Sequence, residues 1–269
     1  MAGFILHIPV LAQRPVLLTE SAVTTPKYQV DFFLSSEYLR KQQTSSPTTP
    51  LIMARVGMIG WHQGISENVN LDIDWRGYLF ATLRNGSKVN DWGDATIATR
   101  IQFNSEKVFT PAFGLRTAVK LPNTKYLPYG LGSNQTDFFA HLLMTKHLGV
   151  VETRLNVGLG IIGDPKNPGA QDDLSMASGA LIVSATSWLT WFAEGYGFMG
   201  YLDDDDKLVA RSGCTVILPG FEVNLFGSYG VLGSHVDVAG AFESSERWSA
   251  GLALKVSFDL VSAKPAENK

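Results

Sequence analysis

The chain has 269 residues, of which 45% are hydrophobic and 17% charged, with a net charge of −3 and one cysteine, Cys214. A single cysteine excludes an internal disulfide and any zinc site built on cysteines. The lack of a basic excess or a Lys/Arg run speaks against nucleic acid as a partner, and the longest uncharged apolar run is too short to cross a bilayer as a helix.

The stretch Phe4 to Ala12 resembles the end of a secretory signal, with Val10-Leu11-Ala12 as a small-residue cleavage context before Gln13. It lacks a basic start, and His7 interrupts its apolar core. We read residues 1–12 as a signal-peptide remnant, 13–26 as an N-terminal segment, 27–258 as one β-domain and 259–269 as a polar tail.

From Tyr28 to Phe258 the pattern is strand after strand. The clearest puts Val69, Leu71, Ile73 and Trp75 on one face and Asn70, Asp72, Asp74 and Arg76 on the other. A soluble barrel that encloses a ligand prefers apolar residues inside; charged-in and apolar-out is the sense of a transmembrane barrel, whose alternating faces cancel in any hydropathy window. The expected fold is therefore all-β, an antiparallel up-and-down transmembrane β-barrel. About twelve strands are expected, each roughly 9 to 12 residues long. Their centres fall at Phe32, Met58, Ile73, Ala98, Leu115, His141, Leu155, Gly179, Ala193, Thr215, Leu225 and Leu252.

Connections alternate. Short ones lie at His62 to Asn68, Asn104 to Phe109, His147 to Gly149, Ala185 to Ser187 and Leu218 to Gly220, the expected periplasmic turns. Longer or more polar ones lie at Arg40 to Pro50, Arg84 to Trp92, Leu121 to Gln135, Gly163 to Asp173, Leu202 to Lys207 and Leu232 to Glu246, the expected extracellular loops. Prolines fall in connections or, at Pro111, at a strand start, so none removes a donor from a ladder interior. Glycines recur inside strands, among them Gly60, Gly158, Gly179, Gly195 and Gly251, where bends and close packing in a lumen tolerate them. Aromatic residues such as Trp61, Trp75, Tyr78, Trp92, Trp188, Trp191, Tyr201, Trp248 and Phe258 gather near strand ends, as interfacial girdles require.

The segments Gly93-Asp94, Val119-Lys120-Leu121-Pro122, Gly130-Leu131-Gly132-Ser133 with Thr136-Asp137, and Gly158 to Gly163-Asp164-Pro165 carry a more specific signal. Together they resemble the outer-membrane family named for the MetA pathway of phenol degradation, over roughly the middle third of the chain. The resemblance implies a bacterial outer-membrane barrel of Gram-negative type that passes aromatic or other hydrophobic compounds.

On the assumed register the lumen collects Asp72, Asp74, Arg76, Asp94, Arg100, Arg116, Lys120, Glu152, Arg154, Glu194, Glu222 and Lys255. Charges of both signs at membrane depth must pair or be wetted. They form either a salt-bridged plug or a polar path that orients a solute, and inward-folded loops or the N-terminal segment decide between the two. The run Asp203 to Asp206 offers carboxylates, but consecutive side chains diverge and make no cage, so no metal and no cofactor is expected. Among the histidines, His141 lies within a strand without a same-face serine, and the Gly-x-Ser-x-Gly elbow is absent. The expected role is a passive channel or facilitator for small solutes, not an enzyme; a structural barrel without transport and a barrel lipid hydrolase are the alternatives. Expected partners are outer-membrane lipid, a small-molecule solute and, during biogenesis, the barrel-assembly machinery.

Overall fold

The computed structural model describes residues 18–41, 50–125, 129, 131–164, 169–200, 206–232 and 246–260. The expected signal remnant, the tail beyond Leu260, Tyr201 and Asp203 to Asp205 lie outside them. Fourteen strands follow one another among these residues: β1 (Gln29–Lys41), β2 (Pro50–Ser66), β3 (Val69–Trp75), β4 (Tyr78–Leu83), β5 (Lys88–Trp92), β6 (Ala95–Asn104), β7 (Ala112–Leu121), β8 (Asp137–Leu148), β9 (Val151–Gly163), β10 (Gln171–Ser184), β11 (Leu189–Met199), β12 (Lys207–Leu218), β13 (Phe221–Leu232) and β14 (Glu246–Asp259).

Twelve of them close into one antiparallel ring. β1 pairs with β2, β2 with β3, β3 with β6, and each strand from β6 to β14 with its successor. The ring is sealed between β14 and β1, from Gln29 opposite Asp259 to Arg40 opposite Trp248. Twelve is even, so the described chain enters and leaves at the same rim, the one with the short turns. All twelve strand centres read from the sequence fall within ring strands.

The remaining two strands correct the expectation of a loop from Arg84 to Trp92. β4 and β5 form a hairpin that prolongs β3 and β6 past the ring, with β4 on the upper half of β2. Its turn is only Arg84 to Ser87, held by Leu83 and Ser87 (2.8 Å). At the junction the wall kinks through three adjacent glycines. Gly57 and Gly77 adopt φ of 67° and 69°, where a side chain is strained, and Gly93 presses on the backbone of Arg76. Each kink shifts the alternation by one residue, as a bulge does. In β2, Met53 and Arg55 face inward above the kink, whereas Met58, Gly60 and His62 do so below it.

Outward side chains form an apolar belt. Leu34, Ile73, Ile97, Leu142, Leu155, Leu181, Leu225 and Leu252 are exposed, while inward neighbours such as Asn70, Asp72, Arg100 and Glu152 are buried. In water such a surface would aggregate; in a bilayer it is solvated by acyl chains, and only a closed ring leaves no unpaired strand edge there. Aromatics border the belt, as Trp61 with Phe258 at the short-turn rim and Trp75, Tyr78 and Trp92 at the other.

Candidate functional site: the lumen

The residues before β1 run inside the barrel. Gly64 admits them, because any side chain there would collide with the backbone of Thr25 and Pro26. Tyr28 N–H donates to the Gly64 carbonyl at 2.9 Å where the segment turns into β1. From there the strap crosses the lumen. Asn70 holds Thr25 Oγ1 (2.9 Å), Gln102 holds Thr24 N–H (3.2 Å), and Thr145 Oγ1 accepts Ala22 N–H (2.9 Å). Arg100 donates to the Ser21 carbonyl (3.2 Å) and Arg154 to that of Thr19 (3.3 Å). Glu194 accepts the N–H groups of Leu18 and Thr19 at 2.8 to 3.1 Å. Asn156, in the amide orientation that satisfies both its atoms, accepts Glu20 N–H at 2.8 Å and donates to the Glu20 carbonyl at 3.1 Å. An extended segment exposes its whole backbone, and inside a membrane each of those groups needs a partner. The wall's polar side chains supply them.

Most of the twelve lumen residues read from the sequence engage in ion pairs or in this strap. Arg100 pairs with Asp72 at 2.8 Å, both essentially unexposed. Asp74 meets His62 at 2.9 Å, and Arg116 meets Glu20 of the strap at 2.8 Å. Arg154 and Glu152 pair at 2.6 Å, and Lys255 lies 3.3 Å from Glu222 and 3.6 Å from Asp31. Lys120 Nζ sits between Asp137 and Asp94, the latter 3.8 Å away. Arg76 lines the cavity at the kink. The reading missed Glu20, because the strap has no strand pattern, and also Glu37, Arg55, Asp137 and Arg211. The alternation of β1, β8 and β12 carried a signal for Glu37, Asp137 and Arg211, whereas Arg55 sits beyond the Gly57 kink.

The four segments of the family resemblance converge on one place. Lys120 donates to Ser133 Oγ at 2.6 Å, Asp94 Oδ1 accepts the N–H groups of Asn123 and Thr124 at 2.8 Å each, and Asp137 Oδ1 accepts Gly163 N–H at 3.0 Å. Gly132 packs on Thr124 with no room for a side chain. The described parts of the 122–136 connection are thereby pinned to the inner wall, where Leu131 joins the apolar cluster of Leu39, Met53, Leu79 and Ala81.

Beside the strap, within the ring, lies a cavity of about 380 Å³. Leu18 and Glu20 face it from the strap, Phe139, Met176, Phe198 and Phe226 from the wall. Five of the twelve predicted residues border it: Asp74, Arg76, Arg116, Lys120 and Arg154. Space is kept by a recurring cross-strand pair in which an inward aromatic ring lies directly opposite a glycine. Phe33 faces Gly60, Phe139 faces Gly160, His141 faces Gly158, Phe192 faces Gly213 and Phe226 faces Gly251. A Cβ on any of these glycines would fall within 3.1 Å of the ring opposite, so the glycine lets the ring lie down along the wall. His141, the histidine read within a strand, borders the lumen.

At the short-turn rim, Glu106 receives His147 Nδ1 at 2.7 Å, His147 N–H at 2.9 Å and Lys146 Nζ at 2.9 Å. Partial burial pushes its carboxyl up, but these donors prevail and hold it down at about 2.

No family model and no curated protein matches the sequence. Solved structures match in fold. An outer membrane channel of Pseudomonas putida F1 superposes with a TM-score of 0.65 at 11% identity, over 88% of this chain and 98% of that one. The NanC porin gives 0.55 at 8% identity, over 84% and 98%. The translocator domain of the autotransporter NalP from Neisseria meningitidis gives 0.53 at 11%, over 87% and 90%. With its closed twelve-strand ring and apolar outer belt, the chain has the fold of the bacterial outer-membrane β-barrels it superposes on.

Proposed function

We propose that the barrel is a passive channel or facilitator for small hydrophobic or aromatic solutes. The observation that carries this reading is the lumenal cavity of about 380 Å³, within the size range of small-molecule sites and walled by flattened aromatic rings. A barrel whose only task was to stand in the membrane would gain by filling that space. The fold likeness to an outer membrane channel and a porin supports the same reading. Flux would follow the solute gradient, since the sequence carries no nucleotide-binding motif. Of the predicted lumen charges, those bordering the cavity, Arg116 and Arg154 above all, are proposed to set selectivity; those sealed into pairs, such as Arg100 with Asp72, hold the wall and strap.

A second reading, a structural barrel without transport, draws on the strap and its ion pairs across the lumen. Planar-bilayer recording separates the two. Discrete current steps, altered on neutralising Arg116, are expected for the channel; a folded barrel that stays silent and does not speed uptake of a small aromatic solute into liposomes overturns it.

A further inference from the structure

Two strands, β2 and β12, bring cations to one wall of the cavity, and β1 brings the carboxylate between them. Arg55 of β2 donates Nη1–H to Glu37 Oε2 of β1 at 2.6 Å, and Arg211 of β12 donates Nη2–H to Glu37 Oε1 at 3.5 Å. One carboxylate thus serves two guanidiniums. The next carboxylate, Glu194, is 4.0 Å from Arg211 Nε and is already engaged by the strap's N–H groups. Lys207 lines the same wall.

Aromatic faces accompany these cations. The Arg211 guanidinium lies 4.5 Å from the Phe226 ring centre and 6.0 Å from that of Tyr196, and Lys207 Nζ lies 5.9 Å from Tyr196. Phe226 is itself flattened over Gly251, which turns its face to the lumen side of the wall. A guanidinium stacked on a ring keeps its planar edge for in-plane hydrogen bonds to a carboxylate. Guanidiniums that line the cavity beside aromatic faces suit the planar carboxylate of an aromatic solute better than an ammonium or a hydroxyl.

We propose that this wall is a subsite for the anionic group of a small aromatic acid: the carboxylate meets Arg55 and Arg211, sharing or displacing Glu37, and the ring lies against Phe226 and Tyr196. The proposal rests on the channel reading for its purpose but not for its chemistry, so its test has a readout that needs no current.

The full barrel in detergent is titrated calorimetrically with benzoate, benzyl alcohol and benzylammonium, and the same probes are added to planar bilayers. Benzoate should bind and interrupt current at concentrations at least ~10-fold below those of the other two, as expected for one charge-assisted bidentate contact. Arg211→Gln should weaken benzoate by about 10-fold and leave benzyl alcohol unchanged, whereas Glu37→Gln, which removes the competing carboxylate, should strengthen it. Arg211→Lys, which keeps the charge, serves if the glutamine variant does not fold, and should retain an intermediate response. Equal affinity for the three probes, or a benzoate response indifferent to Arg211 and Glu37, overturns the subsite. A barrel that binds benzoate but neither carries current nor speeds uptake of an aromatic solute into liposomes upholds the subsite and sinks the channel.

Discussion

Lys120 and Asp137 stand directly opposite each other in the β7–β8 ladder, and their side chains form an ion pair that is essentially unexposed. Asp94 lies on the other side of the same ammonium, and Ser133 closes it from the loop. Removing the cation leaves two buried carboxylates facing each other. Lys120→Met should therefore destabilise the barrel by about 3–5 kcal/mol, read as a lower temperature for the mobility shift between folded and unfolded barrel on gels. Adding Asp137→Asn should recover part of the loss. If Lys120→Met alone is neutral, the cluster does not hold the loop.

The alternation of faces made the ring legible in the sequence, because lipid outside and ion pairs inside impose opposite chemistries on successive residues. Asp72 with Ile73 is enough to orient β3. Three things were hidden. The kink at Gly57, Gly77 and Gly93 depends on three strands being side by side, which no single strand reveals. The pairing of Phe226 with Gly251 is a matter of register, set by neighbours 25 residues apart in sequence. The strap has no periodicity, since its partners come from strands spread around the ring. The resemblance located Asp94, Lys120 and Asp137 as motif residues without saying that they meet.

The first described residues of the strap, Leu18 and Thr19, give their N–H groups to the two oxygens of Glu194. Glu194→Ala should loosen the strap at this anchor and raise single-channel conductance by about twofold or more, since the obstruction is then less firmly seated. Glu222→Ala removes a lumen carboxylate that pairs with Lys255 and, among the described residues, has no hydrogen bond to the strap, so it controls for charge. Equal conductance changes in the two variants would show that charge, not the strap, is being read.

Glu106 ties the β6–β7 turn to the end of β8. Its carboxyl titrates near 2 in the folded barrel, below its ordinary value of 4.5. A depressed carboxylate stabilises the fold above its unfolded pKa, and that contribution disappears as pH falls through the folded value. The turn should loosen between about pH 4.5 and 2, with a global effect of about 1 kcal/mol or less because the carboxylate is partly solvated. Hydrogen exchange at residues 105–110 across this range measures it, and Glu106→Gln should remove the pH dependence while lowering protection at neutral pH.

At Gly251 cavity and wall are coupled through one Cβ position. A Cβ there would meet the Phe226 ring, with Cε1 at 2.7 Å, and the Ser36 carbonyl at 2.7 Å. The ring can yield by rising into the lumen, but the carbonyl belongs to the neighbouring strand and cannot. Gly251→Ala should therefore do two separable things: narrow the cavity and strain the seam between β14 and β1, the latter costing about 1–3 kcal/mol as overpacking does. Adding Phe226→Ala should restore conductance without restoring the full stability. Gly160→Ala is milder, because its tightest neighbours, the Phe139 ring at 3.1 Å and the Met176 sulfur at 3.4 Å, are both side chains that can move. Gly195→Ala meets nothing within 4 Å and should leave conductance unchanged. The order Gly251, Gly160, Gly195 in lost conductance is the expectation, and a Gly251→Ala barrel conducting like its parent would mean that the flattened rings do not set the bore.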